Sequence, residues 1–518
     1  MRSPACFWLL LMISGWLMIS DTLADDHFLT IGGGYDPQGN QVSLERNVEF
    51  FRQVLAEQRP DDPAHTVFFA DGDDDHRDLQ YRDPSFECSP GRRIAIELFG
   101  DADDLDIAYR NHSLSNVTGS TSPGVISNYL EQLGRRVEGD DRLIVYATAH
   151  GGSGDEKTPH NTSVYTWNHR RFSAAEFSNW LGKLPEETPV VLVMVQCYAG
   201  GFAHTMFNEA DPTKGIARQL RAGFFAQVHD RPAAGCTPGV NEESYQEYSS
   251  FFWAAIAGHD RLGSTIDKVD IDSDGVTSFA EAHAYAVCES ETVDIPIRTS
   301  DAYLDYFSTD GNSIETQYHR DRKTNEPRRL PLPELQKLEG SLPALLEQAD
   351  PVDRYIVECI SKKLSLDLDG NVSQVKQALN RVRRDMQRAR RSSSRTTGNY
   401  RRTRDRVLAE VRREWPELDS DLSPMLASLM AERADEFEKK VTSMLAYKSM
   451  VRLAEEKSKA DEAVLNYRKD EALVLRLDRT LKRIVLSINL PKVGSPQVVN
   501  RYKELLALES SSLAAGSP

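Results

Sequence analysis

The stretches Leu143-Ile144-Val145-Tyr146-Ala147-Thr148-Ala149 and Val190-Val191-Leu192-Val193-Met194-Val195-Gln196 decide how this chain folds. Both are short, apolar and rich in β-branched residues, the composition of strands buried on both faces of a parallel sheet. The first runs into His150-Gly151-Gly152 and the second into Cys197. In open α/β sheets, ligand and reaction sites collect at the carboxyl ends of strands, where both residues would stand. A free thiol has a pKa of about 8.5 and needs a neighbouring base to become a good nucleophile at neutral pH. His150 supplies such a base for Cys197. Gly151 lets backbone approach closely, so its N–H, with that of Cys197, can serve an oxyanion.

A hydrophobic strand ending in His-Gly, a helix, then a second hydrophobic strand ending in Cys resembles the caspase and legumain-like cysteine peptidases. The doubled glycine of Ala149-His150-Gly151-Gly152 is most similar to the legumain and GPI-transamidase branch. The flanking elements fit that order. Phe28 to Ile31 before Gly32-Gly33-Gly34 reads as the first strand, Ser43 to Glu57 as a helix, Thr66 to Ala70 as a second strand and Pro123 to Leu133 as a further helix. The resemblance spans roughly residues 26 to 300 and implies a mostly parallel sheet flanked by helices. It also implies a thioester acyl-enzyme on Cys197, with His150 as base and then acid. Two departures stand out. Val195-Gln196 precedes the cysteine where legumain-like chains have Glu-Ala, and after the first strand only Asp36, Gln38, Asn40 and Gln41 replace their pocket arginine. A preference for Asn or Asp at the cleavage site is therefore not carried over. Read singly, Cys197 would be an inert small hydrophobe and His150 a loop cap.

The run Asp270-Ile271-Asp272-Ser273-Asp274-Gly275-Val276-Thr277-Ser278-Phe279-Ala280-Glu281 matches an EF-hand calcium loop. Carboxylates stand at positions 1, 3 and 5, glycine at 6, serine at 9 and glutamate at 12, the oxygen set a hard cation requires. Asp270, Asp272, Asp274, the Val276 carbonyl, Ser278 and Glu281 are the candidate Ca2+ ligands. The segment before it, Ala257 to Gly263, is a poor helix, so an isolated loop is expected; a solvated acidic turn capping the next helix is the plainer reading. The run Asp71-Gly72-Asp73-Asp74-Asp75 lacks that spacing and reads as a solvated acidic loop. Ala222 to Val228 reads as another strand, and Asp230 to Glu243 as a long loop. In the resembled family this region borders the substrate pocket, making Glu242, Glu243 and Glu247 candidates for selecting Arg or Lys. Glutamates at the start of the helix Ser244 to Ala257 would also be placed there by its dipole.

At 518 residues the chain calls for two or three domains. A net charge of -17 argues against general nucleic-acid binding. Arg2, the apolar segment Ala5 to Ile19 and Thr22-Leu23-Ala24 read as a secretory signal over 1–24, which implies a secreted or periplasmic protein without a stable membrane span. After Cys6 is removed, Cys88, Cys236, Cys288 and Cys359 accompany Cys197. A Cys236–Cys288 bridge or four reduced thiols are both compatible with the spacing.

The peptidase-like domain spans 25–310, residues 311–333 read as a linker, and 334–510 as an all-α helical or coiled-coil domain of three to six helices. Arg381 to Arg406 is basic, with an exposed Ser/Thr/Gly centre around Ser392 to Ser394. A solvated helix face and loop is the plainest reading of it and a surface for anionic partners a second; because legumain-like enzymes can carry a helical prosegment over the active site, the resemblance implies a third, an intramolecular C-terminal cap released by cleavage in that centre. The sequence thus points to an exported, calcium-stabilised cysteine endopeptidase acting on peptide or protein. Two alternatives remain: a transpeptidase or transamidase of the same fold, and a catalytically dead calcium-stabilised interaction protein.

Overall fold

The computed structural model describes residues 25–61, 63–100, 105–138, 141–310, 318–320, 327–329, 334–416, 418 and 424–513. The signal segment read over 1–24 lies outside the described residues. Alternation organises the first half. Along β5 (Arg142–Ala149), Ile144 and Tyr146 enter one core while Leu143, Val145 and Ala147 enter another, as the two-residue period of a strand demands. β1 (Asp26–Gly33) and β9 (Val190–Met194) behave alike, with every residue of β9 buried. With β2 (His65–Phe69), β10 (Arg221–Phe225) and β11 (Ile297–Arg298) they form one sheet in the order β11-β10-β9-β5-β1-β2. All pairs are parallel except β10 with β11.

Helices cover both faces. α1 (Val42–Gln58), α5 (Tyr248–Ala257), α6 (Phe279–Glu289) and α7 (Thr299–Phe307) close over Phe28, Tyr146 and Phe224, where Phe51 and Trp253 stack at 4.4 Å. α3 (Pro123–Leu133) and α4 (Ala174–Leu181) cover the other face through Ile126, Leu130, Phe177 and Leu181. Smaller pieces decorate this layer. They are the ladder of β3 (Leu79–Arg82) with β4 (Ile107–Arg110), the meander β6 (Gly151–Gly152), β7 (Ser163–Thr166) and β8 (Arg170–Ser173), and α2 (Pro90–Phe99). Within the stretch read as a linker, β12 (Tyr318–Arg320) pairs antiparallel with β13 (Pro327–Arg329).

The C-terminal region is helical: α8 (Leu342–Leu346), α9 (Pro351–Lys363), α10 (Ser373–Glu414), α11 (Pro424–Glu432), α12 (Ala434–Ser443), α13 (Leu445–Val493) and α14 (Pro496–Glu509). These seven, among the described residues, exceed the three to six expected. α10 also runs unbroken through Ser392–Ser394, so the exposed loop expected there is helix. The Ser393 hydroxyl donates to Asp461 at 2.6 Å and Arg383 pairs with Glu471 at 2.7 Å, contacts from α13 that outweigh the weak helix propensity of Ser, Thr and Gly. Nor does this region stand apart. Leu486, Leu490, Tyr502, Leu505 and Leu508 belong to the same core as Phe28 and Phe224, while Val474, Leu477 and Leu481 pack with Ala284 and Val287 of α6. Arg142, at the amino end of β5, donates to Ser511 Oγ at 2.8 Å and the Ser512 carbonyl at 2.9 Å. The segment Ser511-Ser512 after α14 therefore docks at the edge of the sheet opposite the carboxyl ends of its strands. A buried ionic cluster seals the joint: Asp353 accepts from Arg298 at 2.7 Å and Arg483 at 2.8 Å, and Arg483 also donates to Asp301 at 2.6 Å. Among the described residues no helix is long and apolar enough to cross a membrane.

Candidate active site

Parallel pairing of β5 with β9 in the register Ala147↔Met194 brings the two strand ends together. Past the ladder they touch. A Cβ on Gly151 would lie 2.1 Å from the Cys197 carbonyl oxygen and 2.8 Å from Gln196 Cγ, so only glycine fits. His150 continues into the β6–β7 pairing, where its carbonyl accepts from Tyr165 N at 2.9 Å. That makes His150 and Tyr165 the bonded pair, and Gly151, one residue on, takes the alternate register opposite Val164, with its N–H directed off the ladder. After Cys197 the chain turns sharply, Tyr198 adopting φ 60° before a 3₁₀ helix over Ala199–Met206. The Cys197 N–H donates to no backbone carbonyl among the described residues.

The imidazole is held by two groups that the sequence does not flag. His150 Nε2 lies 2.8 Å from the Gly39 carbonyl and 2.9 Å from Gln41 Oε1. Both are acceptors, so Nε2 carries the proton and the neutral ring presents the lone pair of Nδ1. Tyr35 packs against the ring at 5.2 Å. Burial lowers the His150 pKa below the ordinary histidine value, partly offset by the Gly39 bond and Asp36, which keeps the ring neutral and basic at pH 7. No local pattern marks Gly39 and Gln41; they arrive through the β1–α1 turn, whose Asn40 is buried and accepts from Gly34 N at 3.0 Å.

Cys197 Sγ accepts from Ala233 N at 3.2 Å rather than bonding to His150, and burial pushes its thiol pKa up. The covering loop is pinned from below. Asp294 accepts from Ala234 N at 2.8 Å, and Arg476 of α13 donates to the carbonyls of Asp294, Val287 and Ser290 at 2.7 to 2.8 Å. Gln196, 1% exposed, leaves both polar atoms of its amide unpartnered beside Gly151.

The acidic candidates are largely occupied by resident cations. Glu247 is buried and accepts from Arg261 at 3.0 Å and Ser250 at 2.7 Å, while Glu242 lies 3.5 Å from Arg46 and 3.6 Å from Arg261. Glu243 is exposed in a 3₁₀ turn that precedes α5. Glu247 also adjoins Gly235, which places the trio along the loop that covers Cys197.

In the 270–281 loop, oxygens of Asp270, Asp272 and Asp274 lie within 4.8 Å of one another, and Gly275 takes φ +95°, the turn that glycine permits. Gly275 N donates to Asp270 Oδ2 at 3.2 Å and Val276 N to Asp274 Oδ1 at 2.8 Å. Glu281 is turned elsewhere. Its Oε1 accepts from Ile271 N at 2.5 Å and Asp272 N at 3.2 Å, while Oε2 caps α6 through Ser278 N at 2.8 Å and Ser278 Oγ at 3.0 Å. Three of the six candidate ligands thus converge. Ser278 forms an isolated antiparallel bridge with Ser512.

All five cysteines of the described residues are free. Cys288 lies against Cys359 and Cys236 beside Cys197, so of the two arrangements compatible with the spacing the structure has the free thiols and not a Cys236–Cys288 bridge. No family model and no curated protein matches this sequence. Among solved structures, it is similar to protein GSU0716 from Geobacter sulfurreducens at 10% identity and a TM-score of 0.29, over 51% of this chain and 88% of that one. Likeness at that level carries no argument.

Proposed function

We propose that this chain is an exported cysteine endopeptidase of caspase/legumain-like fold, acting on peptide or protein through a thioester on Cys197. The observation that carries the reading is the contact of the two strand ends at Gly151, together with a histidine whose Nε2 is committed to the Gly39 carbonyl and Gln41. His150 Nδ1 takes the thiol proton as sulfur attacks the scissile carbonyl and returns it to the leaving amine; water then hydrolyses the thioester. The N–H groups of Gly151 and Cys197 face the developing oxyanion. Asp270, Asp272 and Asp274 hold Ca2+, which stiffens the start of α6. The C-terminal helices regulate the site through Arg476, which braces Asp294 and so the loop against Cys197.

One observation favours the non-catalytic alternative: Cys197 rests on Ala233 N, with no bond to His150 among the described residues. A fluorogenic peptide panel with Arg, Lys, Asn or Asp before the scissile bond, with and without calcium, separates the two. Cleavage abolished by Cys197→Ala supports the peptidase; no cleavage by the full chain or by a limited-proteolysis-activated form supports an interaction protein.

A further inference from the structure

A second cluster of ligating side chains stands behind the β1–α1 turn. A nitrogen of His112 and carboxylate oxygens of Asp71 and Asp78 lie within 4.8 Å of one another. They come from three separate places: the residue two past the end of β2, the residue before β3 and the segment after β4. Asp78 is fully buried and His112 is 8% exposed. Asp71 is half-buried, and a fully buried carboxylate facing a second one without a counter-ion is costly; among the described residues no lysine or arginine pairs with either.

The orphaned atoms point the same way. His112 Nε2 lies 2.8 Å from the Gly72 carbonyl, which fixes its proton there and leaves the lone pair on Nδ1. Nδ1 is buried and has no partner, and so is Asp71 Oδ1. A buried histidine beside two carboxylates that donates one ring N–H to a backbone carbonyl and leaves its other nitrogen unpartnered is the arrangement of a metal ligand with its outer partner in place. The ring is further fixed by Phe69 at 5.2 Å, and Asp78 Oδ1 accepts from His112 N at 3.1 Å.

We infer that Asp71, Asp78 and His112 form a binding site for one divalent transition-metal ion. An imidazole nitrogen with two carboxylates suits Zn2+ or Mn2+ better than Ca2+, whose sites are built from oxygen. The site is separate from the 270–281 loop in sequence and in donor type. It adjoins the turn that orients His150: Asn40 Nδ2 donates to the Asp78 carbonyl at 3.0 Å and to Asp78 Oδ2 at 3.2 Å, and Asn40 Oδ1 holds Gly34 N. Loading the site fixes Asp78, hence Asn40, hence the turn carrying Gly39 and Gln41.

The test uses the full chain stripped with a chelator, then dialysed against Zn2+, Mn2+ or Ca2+, with bound metal measured by mass spectrometry. The wild type and an Asp272→Asn control are expected to take up one equivalent of Zn2+ or Mn2+ that Asp71→Asn and His112→Gln bind at least tenfold more weakly. Amide exchange at Gly34 and Gly39 is expected to slow on loading, a readout independent of any activity. Equal uptake by folded Asp71→Asn and the wild type, uptake lost only in Asp272→Asn, or no Zn2+ or Mn2+ binding by the wild type would each overturn the inference. If both site variants misfold, X-ray absorption on the loaded wild type decides. A shell mixing imidazole nitrogen with carboxylate oxygen supports the site, and any other shell overturns it.

Discussion

Replacing Gly151 by alanine probes the contact on which the site depends. The new Cβ would stand 2.1 Å from the Cys197 carbonyl oxygen and 2.8 Å from Gln196 Cγ. Comfortable carbon contacts lie near 3.5 to 4.0 Å, so the two strand ends must part by roughly 1 Å. Overpacking of that kind costs about 1 to 3 kcal/mol of stability. A displacement of roughly 1 Å between reacting groups costs on the order of 100-fold in rate. Gly124→Ala is the matched control, since nothing lies within 4 Å of a Cβ placed there on α3, and it should gain about 0.5 to 1 kcal/mol. The assays are urea unfolding, the alkylation rate of Cys197 by a thiol-directed probe and the rate of peptide cleavage. A Gly151→Ala protein within twofold of wild type in both rates, with an unchanged unfolding midpoint, would refute the reasoning.

Other outcomes follow from the same contacts. Arg476→Met strips the buried carbonyls of Val287, Ser290 and Asp294 of their donor and should cost about 3 to 5 kcal/mol in urea unfolding, with faster amide exchange at Ala234; a loss under about 1 kcal/mol would contradict the brace. Asp353→Ala leaves Arg298 and Arg483 buried without their shared carboxylate, for a loss of about 3 to 5 kcal/mol, and a neutral effect would show the cluster to be dispensable. Two buried histidines make an acid-labile contribution to stability. Burial lowers His65 and His204 to about 3, so the unfolded chain binds more protons than the native one once pH falls below about 6.5. Their contribution is complete above that value and is lost by up to about 2 to 3 kcal/mol per pH unit towards pH 4, opposed by Asp294, which burial raises to about 6, and by Asp353, raised likewise; a His65→Gln, His204→Gln variant with the wild-type pH dependence over pH 6.5 to 4 would contradict it.

The central sheet was legible because its strands carry their own signature. Runs such as Val190–Met194, buried on both faces, need no knowledge of their partners, and α3 begins where Ser122-Pro123 announces it. What stayed hidden depends on distant contacts. The boundary near residue 310 looks like a domain break in composition, yet Tyr502, Leu505 and Leu508 complete the core around Phe28, 474 or more residues away in sequence. Ser392–Ser394 looks like a loop until α13 supplies Asp461 as a partner for the Ser393 hydroxyl. Within the site, His150 and Cys197 end readable strands, whereas Gly39, Gln41 and Asn40 are polar residues of an ordinary turn whose role exists only because that turn folds back over the strand ends. Asp71 was visible as one of several acidic residues, but nothing local tied it to His112.

The most direct test of the central claim is intact-mass and peptide mapping after treatment with peptidyl acyloxymethyl ketones bearing Arg, Lys, Asn or Asp next to the reactive group. The account predicts a single thioether adduct on Cys197, formed by at least one of the four reagents and slowed at least 100-fold in His150→Ala. Adducts on Cys236 instead, no adduct at all, or labelling of Cys197 at the same rate without His150 would contradict it.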